Sequence, residues 1–464
     1  MKKRDIAKSD LPSECHNSGL KAAVRLKTNT DLSKKEIINL LSEVAANPAC
    51  YKNEPHLKTL AEELICLSDK PEKKTELRSA PYKVWGDNHD REPLEQLRRA
   101  CSLPVALRGA LMPDAHVGYG LPIGGVLAAD NAVIPYAVGV DIACRMRLTV
   151  VDLPVNYLDR RTDKLKSALE KNTLFGVGVS FRDRKQHEVM DRNWKVSPVT
   201  AKAKDTAWGQ LGTSGSGNHF VEWGTFTTEK QIDSLEPGTY LALLSHSGSR
   251  GSGSRVANYY STLASKKHPE LPKGLKNLAW LDLSSHEGKE YWAAMELMGA
   301  YAAANHELIH NSIVRHLKAT VLLGLENHHN FAWKETHGNR QVVVHRKGAT
   351  PAQEGVRGII PGSMATPGFL VEGKGNAASL CSSSHGAGRV MSRAQAKNTY
   401  RWKDVRGLLS ERRVTVLSAG LDEIPLVYKD IMEVMDAQRE LVDILGRFDP
   451  RIVKMAPAGE RAED

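Results

Sequence analysis

Residues 112–153, MPDAHVGYGLPIGGVLAADNAVIPYAVGVDIACRMRLTVVDL, set the pattern that decides the fold. Short β-rich runs, GGVLAADNAVIPYAVGV (124–140) and RLTVVDL (147–153), alternate with glycine-dense turns, and the polar side chains gather at the turns. Asp141 and Cys144 stand three residues apart beside a predicted strand end, where a carboxylate and a thiol could reach one divalent metal. A lone cysteine is more often a small core residue, so the pair needs support from elsewhere in the chain.

Strand-like runs recur at 239–246 (TYLALLSH) and 339–346 (NRQVVVHR), and chemistry-bearing residues again cluster at turns. GTSGSGNHFVEWG (212–224) sets Asn218, His219 and Glu222 after a glycine turn whose successive N–H groups could form an anion nest. LLSHSGSRGSGSR (243–255) repeats the arrangement with His246 and Arg250, and LENHHNFAW (325–333) adds His328 and His329. Taken singly, each histidine is more often a hydrogen-bonded structural residue than a ligand; recurrence of one pattern favours a site. VVVHRKGATPAQEGVRGIIPGSM (342–364) carries His345, Arg346, Lys347 and Arg357. CSSSHGAGRVMSRAQAK (381–397) places His385 where a helix is expected to start, so that backbone amides and the positive end of a helix dipole would face a phosphate. A loop histidine between three serines and Gly-Ala-Gly has little packing value, which favours a functional reading.

The composition is that of a soluble globular protein: 464 residues, 41% hydrophobic, 25% charged and only 6% aromatic. With 64 basic and 54 acidic residues the net charge is +10, an excess that favours polyanionic partners. Six cysteines (Cys15, Cys50, Cys66, Cys101, Cys144, Cys381) lack CxxC spacing and are read as reduced thiols of a cytoplasmic protein. No leader-like apolar stretch follows the basic N-terminus, and no segment approaches the length of a membrane span.

Residues 1–78 read as a Lys/Glu-rich, glycine-poor helical extension of unknown role, and 79–464 read as one larger domain that carries all of the motifs above. Ser33 and Glu36 in LSKKEIINLLSEVAA make a capping box, a second helix is expected from Pro55 to Leu67, and SDKPEKKTELRS (68–79) reads as a linker. Helices are also expected over 290–319 and over 429–448, where Ile431, Val434, Met435, Val442 and Leu445 fit one apolar face.

MPDAH, AVGVDIAC, GSGNHFVE, HSGSRG, HHNFA, HRKGAT, PGSM, SHGAGRVMSR and YKDI occur in this order between about residues 80 and 455, and together they resemble the RtcB family of RNA ligases. The resemblance implies an α+β fold with central mixed β-sheets, flanking helices and one active-site cleft. It implies two Mn²⁺ ions held by Asp141, Cys144, His219, His246 and His329, with Cys144 bridging, and His385 as the nucleophile that takes GMP from GTP. The nucleotide would lie against Asn218, Phe220, Glu222, Asn330, Pro361, Gly362, Ser363, Met364, Gly386, Ala387, Gly388, Tyr428 and Lys454, with Glu222 reading the guanine edge. Partners would be GTP and RNA carrying a 3′-phosphate or 2′,3′-cyclic phosphate and a 5′-hydroxyl, in RNA repair or tRNA splicing. Among the basic residues, Arg250 and Arg389 are ranked first for the RNA path, ahead of Arg145, Arg346, Lys347, Arg357 and Arg393. A monomer is expected, and the need for an activating protein stays open.

Four features depart from the family pattern and point to a divergent bacterial paralogue. Arg145 stands where glycine is common, Gly368 replaces an expected serine, Ser384 and not a cysteine directly precedes His385, and ten residues follow Lys454. An arginine at 145 is expected to alter access by RNA. Rival readings are an enzyme that only caps 3′-phosphates with GMP, and a zinc metalloprotease using His306, Glu307 and His310 of HELIH. A P-loop in GFLVEGKG fails because Gly375 stands where the magnesium-binding hydroxyl belongs, and an RNA-binding protein without catalysis would be expected to lack ligands that are present here.

Overall fold

The alternation of short apolar runs and glycine turns becomes two main β-sheets with helices around them in the computed structural model, which describes residues 1–6, 8–68 and 76–461. The first sheet has five strands in the order Tyr82–Val84, Ala106–His116, Ile123–Ala129, Arg340–Lys347, Phe331–His337; the first pair is parallel and the others are antiparallel. The second has eight: Arg357–Ile360, Gly368–Gly373, Val442–Met455, Phe220–Thr228, Gly238–Ser247, Arg145–Val151 and Val321–His328 run antiparallel in that order, and Thr415–Ser418 adds parallel to Val442–Met455. Both sheets are thus mixed, and the α+β fold expected from the sequence is the one observed.

The helix His286–Leu317 is buried along much of its length, and its Tyr291, Met295, Met298 and Tyr301 enter the largest core with Val256 and Tyr260 of Arg250–Lys267. Near its C-terminus Ile309 and Ile313 pack with Leu241, Leu243 and Trp223, so one helix ties a sheet face to the helical layer.

The chain divides into two compact units, Met1–Lys74 and Thr75–Asp464. The first contains helices His16–Asn29, Lys34–Ala46 and Lys58–Ser68 around Ile37, Leu41, Leu60 and Leu64. Ser33 and Glu36 make the reciprocal capping box read from the sequence. The helix placed at Pro55–Leu67 begins at Lys58, after turns. Residues 69–75 of the proposed linker lie outside the described residues. Among the described residues no helix is long and apolar enough to cross a membrane.

The helix expected over 429–448 is overturned. Only Ile431–Asp436 is helical, and Val442–Met455 is a strand paired on both sides, with Gly368–Gly373 and Phe220–Thr228. Ile431, Val434, Met435 and Val442 do share one core, but Val442 reaches it from the sheet. Two long ladders outweigh the weak preference of a short amphipathic segment.

His345 shows how tightly the first sheet is specified. Its Nε2 accepts from Ile134 N–H at 2.9 Å and its Nδ1 donates to Leu127 O at 3.2 Å, so both ring nitrogens are used in the neutral form. Burial pushes its pKa down to about 4. The unfolded chain therefore binds this proton first, so the contribution of His345 is full above its ordinary pKa and is lost as pH falls from about 6.5 towards 4. That loss is on the order of 2–3 kcal/mol. Urea titrations across this range should show stability declining less steeply for His345→Asn than for the wild type; equal slopes would sink the assignment.

Candidate active site

Asp141 and Cys144 immediately precede the strand Arg145–Val151, His219 precedes Phe220–Thr228, His246 lies near the end of Gly238–Ser247, and His329 follows Val321–His328. Pairing sets Arg145 opposite Ser247 and His328, and His246 opposite Met146 and Phe220. Four strand ends therefore meet at one edge of the larger sheet. Cys144 Sγ lies 3.0 Å from His246 Nε2 and 3.4 Å from His219 Nε2. His246 Nε2 is 3.1 Å from His329 Nε2, and His219 Nε2 is 3.1 Å from Asp141 Oδ2. Two triads result, Asp141–Cys144–His219 and Cys144–His246–His329, each with ligand atoms within 4.8 Å of one another, and Cys144 belongs to both. A carboxylate, a thiol and three imidazoles suit divalent first-row metals.

All five side chains are buried. Burial alone would raise the Asp141 carboxyl, but the hydrogen bond and charge of His219, with Arg250 behind it, hold it down at about 2. Burial pushes His246 down to about 3 and His329 well below the ordinary histidine range, so both rings are neutral lone-pair donors near pH 7. Arg250 donates to Ser214 O at 3.1 Å and to His219 Nδ1 at 3.2 Å. Because a guanidinium can only donate, Nδ1 accepts and Nε2 carries the ring proton that faces Asp141; a metal taken at Nε2 must displace that proton.

Ala143, Arg250 and Asn330 have φ of 56°, 57° and 57°, left-handed conformations that cost roughly 1–2 kcal/mol for a residue with a Cβ. Local bonds hold two of them: Ala143 N–H donates to Asn330 O, His329 N–H to Cys144 O, and the Asn330 amide spans Asp141 O and Gly348 N–H.

The cluster opens into a cleft of about 640 Å³. His385 lines it, with its ring centre 4.8 Å from that of His329. The fully buried Asp114 accepts from His385 Nδ1 at 2.7 Å and from its backbone N–H at 3.2 Å. Burial alone would raise the Asp114 carboxyl; the hydrogen bond and charge of His385, with His116 and Lys429, keep it below its ordinary value. Asn218, Phe220, Glu222, Asn330, the Pro361–Gly362–Ser363–Met364 turn, the Gly386–Ala387–Gly388 turn, Arg389 and Tyr428 also line the cleft. Burial raises the Glu222 carboxyl well above its ordinary value.

A family model described as "tRNA-splicing ligase RtcB" matches residues 96–197 and 190–455. The chain belongs to the RtcB family. RNA-splicing ligase RtcB of Escherichia coli is 34% identical over 413 residues, covering 79% of this chain and 95% of that protein. The tRNA-splicing ligase RtcB of Nanoarchaeum equitans is 34% identical over 434 residues, covering 77% and 90%, and RNA-splicing ligase RtcB of Mycobacterium bovis is 32% identical over 416, covering 74% and 96%.

Several expectations read from the sequence need correction in this chain. No helix begins at His385: the helix starts at Arg393, capped by Ser392, and residues 385–392 form an irregular turn, so a buried carboxylate rather than a helix dipole faces the imidazole. Lys454 is turned away from the cleft. It pairs with Val221, and its Nζ meets the carbonyls of Leu169, Glu170 and Thr173, while its neighbours Val453 and Met455 line the cleft. Arg250 is buried behind His219 and is absent from the cleft wall. Arg145 points to the helix side, bonded to Glu326 at 2.8 Å and Gly299 O at 3.2 Å, so it does not obstruct the cleft. Arg346 is buried against Glu335, and Arg357 pairs with Asp233. Arg389, Arg393 and Lys347 do line the cleft, with Arg389 and Arg393 held by Glu423.

HELIH is not a metal site. His306 bonds Ser245 Oγ and Ser247 O, His310 bonds Thr149 Oγ1 and Ser245 Oγ, and both rings use both nitrogens. Glu307 faces solvent near His187, and the two triads above are the candidate metal groups among the described residues. GFLVEGKG contains the strand Gly368–Gly373, whose Gly368 lines the cleft, and no phosphate-binding helix follows it. The residue that sequence reasoning missed is Asp114; it stands within MPDAH, but its partner lies 271 positions away.

Gly215 has φ +80°, and a Cβ there would fall within the Arg250 guanidinium. Gly215→Ala should therefore cost about 3 kcal/mol through strain and overpacking. Gly178, with φ +72° and open space around it, is the control; its replacement by Ala should cost about 1 kcal/mol. Equal urea midpoints for the two variants would show that Arg250 does not need this space.

Proposed function

We propose that this protein is a GTP-dependent RNA ligase that joins an RNA 3′-phosphate, or a 2′,3′-cyclic phosphate once opened by water, to a 5′-hydroxyl through a guanylylated His385. The observation that carries the reading is the His385 Nδ1–Asp114 bond of 2.7 Å at a cleft shared with the ligand cluster. With Nδ1–H committed to a carboxylate, Nε2 is left as the lone-pair nitrogen. Nε2 forms a bond to the α-phosphorus of GTP as the bond to pyrophosphate breaks, and Asp114 balances the positive charge that develops on the ring. An RNA 3′-phosphate oxygen then takes the phosphorus from Nε2, giving an RNA 3′-pp-5′-G end. Attack by the 5′-hydroxyl on the RNA phosphorus releases GMP.

Asp141, Cys144 and His219 would hold one divalent cation and Cys144, His246 and His329 a second, and their donor set fits the two triads. Mn²⁺ there would neutralise charge on the phosphate oxygens. Glu222 lies in the same wall as the Pro361–Met364 and Gly386–Gly388 turns, and its carboxyl oxygens would accept from the donors on a guanine edge.

Incubation with α-labelled GTP and Mn²⁺ should label the wild type and leave His385→Ala unlabelled; equal labelling rules out this nucleophile. Asp114→Asn should keep the fold and slow labelling by about 10²–10⁴-fold. When RNA with a 3′-phosphate and RNA with a 5′-hydroxyl are offered, label should pass to RNA and the ends should seal; transfer without sealing would favour the capping reading. Cys144→Ser should lower the manganese bound at both positions, and an unchanged stoichiometry by metal analysis would remove the bridging role.

A further inference from the structure

Tyr119 is 67% exposed at the mouth of the cleft, in a chain with few aromatic residues. A single exposed apolar side chain is ordinary, but this one stands on a rigid support. On one side, Gly118 exchanges two hydrogen bonds with the buried Gln96 side chain, its O accepting at 2.5 Å and its N–H donating at 3.0 Å. On the other, Gly120 has φ +76° and lies so close to Asn277 that a Cβ would stand 3.0 Å from the carbonyl oxygen. The Tyr119 carbonyl itself accepts from Lys347 Nζ at 2.6 Å, and Lys347 is a buried member of the cleft wall. The backbone is hydrogen-bonded at Gly118 and Tyr119 and packs closely against Asn277 at Gly120, while the ring faces solvent.

The ring also marks a divide. Tyr119 lines the main cleft and a polar side pocket of about 210 Å³ whose wall includes Arg99, Lys273 and Asn277. Arg99 keeps one nitrogen on Glu92 at 2.7 Å, and Lys273 is exposed. Val117, 54% exposed beside the ring, extends the apolar lip. A fixed aromatic face between a nucleotide-sized cleft and a cationic pocket matches the alternation of base and phosphate along a single strand.

We propose that the Tyr119 ring is a stacking platform for an unpaired nucleobase of the RNA leaving the cleft, and that the Arg99–Lys273 pocket beyond it takes a neighbouring backbone phosphate. This subsite rests on the RNA-ligase reading for its ligand, and it adds to that reading the requirement that the RNA end be single-stranded.

The test uses the full-length protein and a single-stranded RNA carrying a 3′-phosphate and a 2-aminopurine near that end. Anisotropy should show Tyr119→Ala binding about tenfold more weakly and Tyr119→Trp binding like the wild type. The 2-aminopurine quench on binding should vanish only in Tyr119→Ala. Lys273→Ala should lower the slope of log Kd against log salt by about 0.7. Unchanged affinity and quench in Tyr119→Ala overturn the platform, as does an equal loss of affinity in Tyr119→Trp, and an unchanged salt slope in Lys273→Ala overturns the phosphate pocket. Binding is measured without GTP, so it decides the subsite even if His385 is never labelled, an outcome that would count against the ligase mechanism alone. Labelling by GTP with no RNA binding would overturn the subsite and leave the nucleophile standing.

Discussion

Five ionisable side chains, Asp141, Cys144, His219, His246 and His329, are buried, each within hydrogen-bond reach of at least one other, and this concentration of polar atoms away from water constrains everything near it. Burying a charge without compensation costs several kcal/mol. Compensation comes from three directions. Ser249 N–H donates to Asp141 at 3.0 Å, Arg250 braces the far side of His219, and the Asn218 carbonyl takes the His246 Nδ1 proton at 3.2 Å. The left-handed backbone at Ala143, Arg250 and Asn330 belongs to the same solution, because the chain must turn sharply beside these five side chains.

The second half of the site comes from elsewhere in the fold. Asp114 belongs to the strand Ala106–His116 of the smaller sheet, while the two triads sit at the edge of the larger one. His385 follows the short strand Ser382–Ser384 and is pinned to Asp114 through both its ring and its backbone. His385 and the two triads are therefore brought together by three sheets: the smaller main sheet with Asp114, the larger one with the triads, and the short Ala349–Pro351/Ser382–Ser384 pair that leads into His385. The same logic explains why His306 and His310 are structural. Through Ser245, Ser247 and Thr149 they join the long helix to the strands that carry His246 and follow Cys144.

Much of this is legible in the sequence. Nine ordered motifs point to one family, and the runs around 126, 148, 243 and 343 lie on strands. The legible features are local: turn glycines, a capping box, and polar residues placed where an apolar run stops. Sequence expectations fail where the deciding partner is distant. The 429–448 segment has a helical apolar pattern, but two sheet neighbours claim its second half. Spacing alone puts Lys454 against the nucleotide, whereas strand register puts its neighbours, and not Lys454, in the cleft. His385 has a sequence context suggesting a helix start, and a carboxylate 271 residues earlier takes that role instead.

By itself, then, the sequence determined the family, the α+β class, the strand-and-turn grammar and the residue types of the site, because these depend on patterns within a few neighbouring positions. Tertiary structure alone decided which cations reach the cleft, which face of the last strand looks into it, that Asp114 orients His385, and that Tyr119 stands fixed at the mouth. Those outcomes depend on strand register and on hydrogen bonds between segments far apart in the chain, and no short stretch of sequence contains both partners.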